Sequence, residues 1–369
     1  MPVHFSPMFW SIPKPFGTRR WRRLACALLA AALAILATHT YRARALQPHK
    51  RFANLDPDRP QRVARWWLLR RMLGLERTPK PGVERVAWDA MQWQQLTAPV
   101  CLGFVGHATF LVRVNGVTFL TDPTWSDRAS PVSWTGPKRL VAPGIPKAEL
   151  PKVDVVLVTH NHYDHLDAAT LAWLGQRDRP QFLVAAGLGR WFADHGLDGV
   201  REMQWWEQHA HRGVTFTFVP SQHFSSRGLF DRNRTLWGGF VAAAPNAPTL
   251  YFAGDTGMFS GFAEIARRYG PVGLALLPIG AYEPAAMMAP IHLKPSETVE
   301  AFRQLQAKWL VAMHWGVFDL SAEPTDEPPA LLRRHAADAG IAPERLWIPK
   351  VGECREVGIC EQANLRIGE

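Results

Sequence analysis

Three histidines and one aspartate stand within six residues of the chain, as His160, His162, Asp164 and His165. Neutral imidazoles and carboxylates are common protein ligands of zinc and similar divalent ions. The cluster follows a mainly apolar run at 153–159, so it begins where a buried strand is predicted to end. In the turn after that strand, His160 and His162 can reach one ion, while Asp164 and His165 can reach a second. The spacing therefore predicts a metal centre.

Three further candidate ligands, His223, Asp255 and His314, come at or shortly after the ends of later apolar runs. Asp255 lies in the segment AGDTG, whose glycines allow the backbone to turn tightly around it. Because each of these side chains ends a predicted strand, we expect them to converge with the first cluster on one rim of a layered structure.

His107 in GHAT and Asp122 in TDP also lie at predicted turns. Two interpretations are compatible with the sequence: these groups orient metal ligands through hydrogen bonds, or they stabilise the turns in which they stand. Four other histidines have no comparable context and are predicted to lie on the surface, namely His195, His209, His211 and His335.

The elements that must position these side chains are short strands alternating with helices. Asn115-Gly116 is a favoured two-residue hairpin turn, here between runs at 110–114 and 117–121. Other strands are predicted at 100–105, 153–159, 182–186, 214–219, 240–244, 250–253, 274–279, 309–313 and 346–348. Helices are predicted at 167–176, at 188–195, and from Pro295 to about residue 306 with Ser296 as N-cap. This mixture favours a layered α/β sandwich over an all-parallel sheet.

The order GHAT, TDP, THNHYDH, a later histidine, AGDTG and a late histidine resembles the metallo-β-lactamase fold signature. Three longer segments, at 122–139, 277–284 and 314–332, resemble the branch of N-acyl-phosphatidylethanolamine-hydrolysing phospholipases D. The resemblance covers roughly residues 50–353 and implies an αββα sandwich that holds two zinc ions. The two-histidine-aspartate-histidine motif alone identifies the superfamily better than the reaction, whereas the longer segments are more specific.

The resemblance also implies a role for each candidate residue. One zinc would be held by His160, His162 and His223. The other would be held by Asp164, His165 and His314, with Asp255 bridging both ions.

Three residues are candidates for catalysis. In the mechanism that we expect, Asp164 or Asp255 orients the attacking hydroxide, and the third candidate is His292 of IHLKPSE. The resemblance implies that His292 lies near the substrate and that Tyr163 stands beside the metals. The chain departs from the family at Ala285–Met288, where a bulkier polar stretch is usual. These residues either line an acyl groove or belong to the core, and the sequence favours the core.

The function implied by the resemblance is hydrolysis of an N-acyl-phosphatidylethanolamine-type phospholipid to phosphatidic acid and an N-acylethanolamine. A lactonase of the same fold, similar to the ascorbate-6-phosphate lactonase group, is the first alternative, because the same ligand set serves both reactions. A metal-dependent nuclease and a non-catalytic binding protein are weaker alternatives. The binding protein is disfavoured because all seven candidate ligands are present.

The distribution of charge argues against nucleic acid as a partner. The 369 residues contain 42 Lys and Arg against 32 Asp and Glu, a formal charge of +10. Residues 1–71 hold 14 of the bases and two of the acids, so this N-terminal part carries +12 and the remainder carries −2. A body of that charge does not offer the basic surface that nucleic acid requires.

The N-terminus combines this basicity with a short apolar run. Basic residues precede the Ala- and Leu-rich segment Leu24–Thr38, a pattern typical of a signal peptide or membrane anchor. We therefore expect membrane association through this segment, with export after cleavage near Ala45 or a cytoplasmic location as alternatives. The predicted organisation is a leader at 1–45, a basic, Trp-rich extension at 46–95, a hydrolase domain at 96–353 and a tail at 354–369. The four cysteines do not indicate a compartment, although Cys354 and Cys360 are close enough in sequence to pair after export.

Overall fold

A computed structural model describes residues 51–57, 78, 80–228 and 230–357. The predicted leader, most of the basic extension and Cys360 lie outside these residues. Within them, no helix combines the length and the apolarity needed to cross a membrane. Cys101 and Cys354 carry free thiols.

The described residues form fourteen strands and seven α-helices. The strands are β1 Val100–Gly106, β2 Thr109–Val114, β3 Val117–Thr121, β4 Val155–Val158, β5 Gln181–Ala185, β6 Val200–Met203, β7 Gln208–His211, β8 Val214–Val219, β9 Gly239–Ala243, β10 Leu250–Phe252, β11 Leu274–Pro278, β12 Trp309–Met313, β13 Leu346–Trp347 and β14 Cys354–Val357. The helices are α1 Ala90–Gln95, α2 Ala168–Arg177, α3 Gly189–Asp194, α4 Gly261–Tyr269, α5 Ala285–Met288, α6 Pro295–Gln304 and α7 Glu327–Asp338.

The first sheet has the order β14-β1-β2-β3-β4-β5-β6 within the described residues. The strands from β14 to β3 pair antiparallel. The β2–β3 hairpin turns at Asn115-Gly116, where both residues have positive φ, as the favoured hairpin turn requires. From β3 to β6 the strands run parallel. The parallel part brings the carboxyl ends of β3 and β4 to the same edge of the sheet.

The second sheet has the order β13-β12-β11-β10-β9-β8-β7 within the described residues. It is antiparallel from β7 to β10 and parallel from β10 to β13. The Phe119 ring of the first sheet packs edge-on against the Phe216 ring of the second, with centroids 5.2 Å apart, in one continuous apolar core. The predicted layered α/β arrangement with two sheets is confirmed.

Three strands at the sheet edges were not predicted from the sequence. β6, β7 and β14 each expose two of their four residues, so none has the apolar run that identifies a central strand. β14 pairs with β1, which extends the first sheet past the predicted domain boundary at residue 353.

The helix begins at Pro295, as predicted, but its N-cap lies two residues before the expected Ser296. Lys294, rather than Ser296, is the N-cap, and Pro295 occupies the first helical position. The Glu297 carboxylate accepts a hydrogen bond from the Lys294 backbone N–H at 3.2 Å. Proline suits the first helical position because the missing N–H there has no partner within the helix, which explains why the N-cap is Lys294 rather than Ser296.

Candidate metal centre

The candidate metal ligands, together with His107 and Asp122, all follow strand ends. His107 lies in the β1–β2 turn, and Asp122 follows β3 directly. The cluster of 160–165 comes after β4. His223, Asp255 and His314 follow β8, β10 and β12. The two sheets therefore contribute side chains to one buried cluster, as the sequence predicted from the strand ends.

The first group of side chains contains His160, His162 and His223. His160 Nε2 lies 2.9 Å from His162 Nδ1, and His223 Nε2 lies 3.2 Å from the same atom. His160 and His223 are buried, and His162 is partly exposed. Three imidazole nitrogens thus face a common point, with room for one cation among them.

The second group contains Asp164, His165 and His314, which were predicted, and His107. Asp164 Oδ2 lies 3.5 Å from both His165 Nε2 and His314 Nε2. The same oxygen lies 3.0 Å from His107 Nε2. These four groups form a second candidate ligand set beside the first.

Asp255 stands between the two groups. Its Oδ1 lies 3.0 Å from His314 Nε2, and its Oδ2 lies 3.2 Å from His165 Nε2. On the other side, the same Oδ2 lies 3.6 Å from His223 Nε2 and 3.9 Å from His160 Nε2. A carboxylate in this position can reach a cation in either group.

The hydrogen bonding of the cluster fits a divalent cation. Nε2 of His165, Nε2 of His314 and Oδ1 of Asp255 are buried without a hydrogen-bond partner, although they face one another. Buried polar atoms normally have partners, because an unsatisfied one costs free energy. A metal ion coordinated by these imidazole and carboxylate atoms would satisfy them, and the donor set is one that zinc accepts.

Outer hydrogen bonds orient the ligand rings. His165 Nδ1 lies 2.7 Å from Asp122 Oδ2, and Asp122 also accepts hydrogen bonds from the Thr159 N–H and hydroxyl. Thr159 Oγ1 lies 2.9 Å from His160 Nδ1. His223 Nδ1 donates to the Ile291 carbonyl at 3.0 Å. Each ring thereby presents its other nitrogen to the centre, the arrangement expected around metal-binding histidines.

The electrostatics separate the two groups. Burial lowers the pKa of His162 to about 4 and that of His160 and His223 well below the ordinary value, so these rings are neutral. Burial also opposes charge on His314, but the carboxylates of Asp255 and Asp164 outweigh it and raise its pKa to about 9. The neutral imidazoles of the first group can bind a metal ion without losing a proton. In the second group, the carboxylates of Asp164 and Asp255 favour positive charge, either a protonated histidine or a metal ion.

His292 lies at the edge of the cluster. Its Nδ1 is 4.0 Å from Asp255 Oδ2, and its ring centroid is 5.2 Å from that of His223 and 5.3 Å from that of His314. Burial lowers its pKa to about 4, so the ring is neutral. Nδ1 is buried without a hydrogen-bond partner. The side chain is close enough to act on a group bound at the centre.

Tyr163 and Arg227 form the wall beside the ligand turn. The Tyr163 hydroxyl donates to the Arg227 carbonyl at 3.0 Å, and the Arg227 guanidinium stacks 4.0 Å from the Tyr163 ring centroid. Arg227 also donates to the carbonyls of Asn161, within the candidate ligand turn, and of Leu166, directly after it. Arg227 could not be predicted as part of the site, because nothing in its local sequence pattern shows which loop its side chain will reach.

Of the four histidines predicted to lie on the surface, His195 is exposed, and His209, His211 and His335 are partly exposed. Residues Ala285–Met288 form the short helix α5, in which Ala285 and Ala286 are exposed while Met288 is buried. The segment therefore belongs partly to the core and partly to the surface.

Comparisons with known proteins identify the family to which the chain is similar. The family model of the beta-lactamase superfamily domain matches residues 117–315. N-acyl-phosphatidylethanolamine-hydrolyzing phospholipase D 1 of Caenorhabditis elegans is 39% identical over 61% of this chain and 67% of its own length. The mitochondrial enzyme of that name from Saccharomyces cerevisiae is 34% identical over 69% of this chain and 55% of its own length. Among solved structures, the metallo hydrolase Igni18 of Ignicoccus hospitalis has a TM-score of 0.52 at 23% identity, covering 69% of this chain and 97% of its own.

Proposed function

Since the chain belongs to the beta-lactamase superfamily, in the branch of the N-acyl-phosphatidylethanolamine-hydrolysing phospholipases D, we propose that this metal-dependent hydrolase is a di-zinc phospholipase of that type. Water would add to the phosphodiester phosphorus of an N-acyl-phosphatidylethanolamine, and the bond from phosphorus to the ethanolamine oxygen would break. The products would be phosphatidic acid and an N-acylethanolamine.

The observation that carries the proposal is the position of Asp255 between the two ligand groups. Its two oxygens lie within 3.0–3.9 Å of imidazole nitrogens on both sides. We propose that His160, His162 and His223 hold one zinc, that Asp164, His165 and His314 hold the other, and that Asp255 bridges them. When bound, such a pair of ions supplies activation of water at neutral pH and stabilisation of charge on the phosphoryl oxygens.

The side chains of the protein would hold and orient the reactants around that pair. Asp164 and Asp255 would accept hydrogen bonds from the attacking water and align it with the phosphorus. His107 supports Asp164, because its Nε2 lies 3.0 Å from Asp164 Oδ2 and burial lowers its pKa to about 3, which keeps the ring neutral and able to donate one proton. The neutral His292 would lie against the bound phosphodiester.

A membrane location fits this substrate. The +12 charge of residues 1–71 and the apolar run Leu24–Thr38 would hold the enzyme at a bilayer, where N-acyl phospholipids reside. Ala285 and Ala286 of α5 are exposed and precede His292 by seven and six residues. They would form part of the entry for an acyl chain.

The same centre is chemically capable of opening a lactone, so the substrate must be tested directly. The full chain, loaded with zinc, would be incubated with N-acyl-phosphatidylethanolamine in vesicles, with phosphatidylethanolamine and with a set of lactones, and the products identified by mass spectrometry. We expect an N-acylethanolamine and phosphatidic acid in a 1:1 ratio. Lactone turnover without N-acyl phospholipid cleavage would overturn the proposal.

A pair of histidine variants supplies the control for this assay. His160→Gln removes a candidate ligand, whereas His209→Gln changes a partly exposed histidine of the edge strand β7. We expect the first variant to be inactive and the second to match the unaltered protein. Equal activity of the two variants would show that the reaction does not occur at this centre.

A further inference from the structure

The side chain of Asn54 makes two hydrogen bonds to the backbone of the candidate ligand His223. The His223 N–H donates to Asn54 Oδ1 at 3.1 Å, and Asn54 Nδ2 donates to the His223 carbonyl at 2.9 Å. The side-chain amide thus pairs with both backbone groups of one residue, as a neighbouring strand would. The contact joins residues 169 positions apart in the chain.

The amide of Asn54 is itself fixed by a buried tryptophan. Trp237 Nε1 donates to Asn54 Oδ1 at 2.8 Å and also lies 3.1 Å from the Ser221 carbonyl. The Trp237 side chain is fully buried. Asn54 Oδ1 therefore accepts from two donors, which defines the orientation of the amide and directs Nδ2 to the His223 carbonyl.

The segment that carries Asn54 has two other anchors, which do not touch the metal centre. The Phe52 N–H donates to the Asn233 carbonyl at 2.9 Å. The Asp56 carboxylate accepts from the N–H and the hydroxyl of Ser260, at 2.8 and 2.5 Å. Of these contacts along the segment, the one made by Asn54 reaches a residue of the centre.

From this geometry we propose that Asn54 is a positioning residue for the metal centre, outside the region that the family model matches. It holds the backbone of His223, while the Ile291 carbonyl orients the ring through Nδ1 and leaves Nε2 facing His162. The proposal rests on the assignment of His223 as a ligand. It also gives the N-terminal extension a role in the centre, because Asn54 belongs to that extension.

The contact requires an amide, which makes an isosteric test possible. An aspartate at position 54 would keep the acceptor for the His223 N–H but would place a carboxylate oxygen against the His223 carbonyl. Loss of an outer partner of a metal ligand typically lowers metal affinity or activity by about 10–100-fold. Asn54→Asp should therefore weaken one of the two zinc sites by about that factor.

The experiment compares Asn54→Asp with Asp56→Asn, the reverse exchange in the same segment. Zinc affinities of the full chain would be measured by chelator competition, together with the cobalt absorption spectrum and the unfolding midpoint of the chelated protein. We expect Asn54→Asp to weaken one site about 10–100-fold and to change the cobalt spectrum, with Asp56→Asn unaffected in both. Equal metal affinity of Asn54→Asp and the unaltered protein would overturn the proposal, as would an equal loss in Asp56→Asn.

A second variant at position 54 covers the case in which Asn54→Asp does not fold. Asn54→Ala, which places no charge beside the carbonyl, should show the same weakened site if Asn54→Asp fails to fold, and normal affinity of Asn54→Ala would contradict the proposal. Because the readout is metal affinity, it is independent of the substrate. An unaltered protein that binds two zinc ions without cleaving N-acyl phospholipids would refute the proposed function and leave the role of Asn54 standing.

Discussion

Asp122 Oδ2 lies 2.7 Å from His165 Nδ1, and both side chains are fully buried. The carboxylate follows β3 and the imidazole follows β4, two parallel neighbours whose carboxyl ends reach the same edge of the first sheet. With Nδ1 engaged by Asp122, His165 presents Nε2 to Asp164 and Asp255. The sheet register thus determines which nitrogen of His165 faces the candidate metal centre.

Asp122→Asn should lower zinc affinity or turnover by about 10–100-fold, because an uncharged amide orients His165 less strongly. Asp154→Asn is the matched control: Asp154 also lies between β3 and β4, where it accepts from the Thr118 N–H and pairs with Arg212. Steady-state kinetics and metal content of the two variants would be compared. An Asp122→Asn protein with unaltered affinity and turnover would contradict an orienting role.

His292→Gln should retain two zinc ions while turnover falls by about 100-fold or more, the range typical of a lost proton-transfer or polarising group. The reason is that His292 Nδ1 lies 4.0 Å from Asp255 at the edge of the two ligand groups. His314→Gln, by contrast, should lose metal. Metal analysis alongside the turnover number separates the cases, and loss of an ion from His292→Gln would identify His292 as a ligand instead.

Gly254→Ala should damage both stability and activity. Gly254 has φ of +60°, and an added Cβ would lie 2.7 Å from the Gly238 carbonyl oxygen and 2.9 Å from Thr159 Cγ2. The backbone next to Asp255 would have to move, and a shift of about 1 Å can cost about 100-fold in rate.

Gly213→Ala is the control for Gly254→Ala, because Gly213 has φ of +87° and open space around it. It should cost about 1–2 kcal/mol of unfolding free energy, from the backbone conformation alone, with activity unchanged. Denaturant unfolding and kinetics of both variants test this. Similar stability and activity in the two alanine variants would show that the close contacts of Gly254 do not matter.

Glu264 should stabilise α4 in a way that depends on pH. Hydrogen bonds from Arg267 and Arg268 lower its pKa to about 2 from the ordinary 4.5. Its contribution is therefore present above about pH 4.5 and is lost as pH falls through about 2. Glu264→Gln should lower the urea midpoint slightly at pH 7, and the difference from the unaltered protein should shrink at pH 3 and in 1 M salt.

Glu300→Gln is the corresponding control on an exposed helix surface, where Glu300 accepts from Gln304 rather than from arginines. Its midpoint should follow that of the unaltered protein at both pH values. A Glu264→Gln difference that stays constant with pH and salt would rule out the ion pairs as its source.

The convergence of the candidate ligands could be predicted because these residues either stand together in the sequence or follow recognisable strands. His160, His162, Asp164 and His165 stand together in sequence, and the central strands before them are continuous apolar runs. Once strand ends were expected to share a rim, His223, Asp255 and His314 followed. Burial on both faces of the central strands is what makes this pattern strong.

The outer partners could not be predicted, because they depend on contacts between distant loops. Asn54 reaches His223 across 169 residues, and Arg227 reaches Asn161 across 66. Both are polar residues in irregular segments, where local sequence carries no periodic signal. The edge strands were missed for a related reason: their exposed polar residues resemble loops.

The most direct test of the central claim is the metal content of the full chain and of Asp255→Ala, measured by elemental analysis after zinc loading and removal of free metal. We expect two zinc ions per chain for the unaltered protein and for His209→Gln, and one or none for Asp255→Ala, with turnover lost by more than about 100-fold. An Asp255→Ala protein that binds two zinc ions and keeps full activity would contradict the claim.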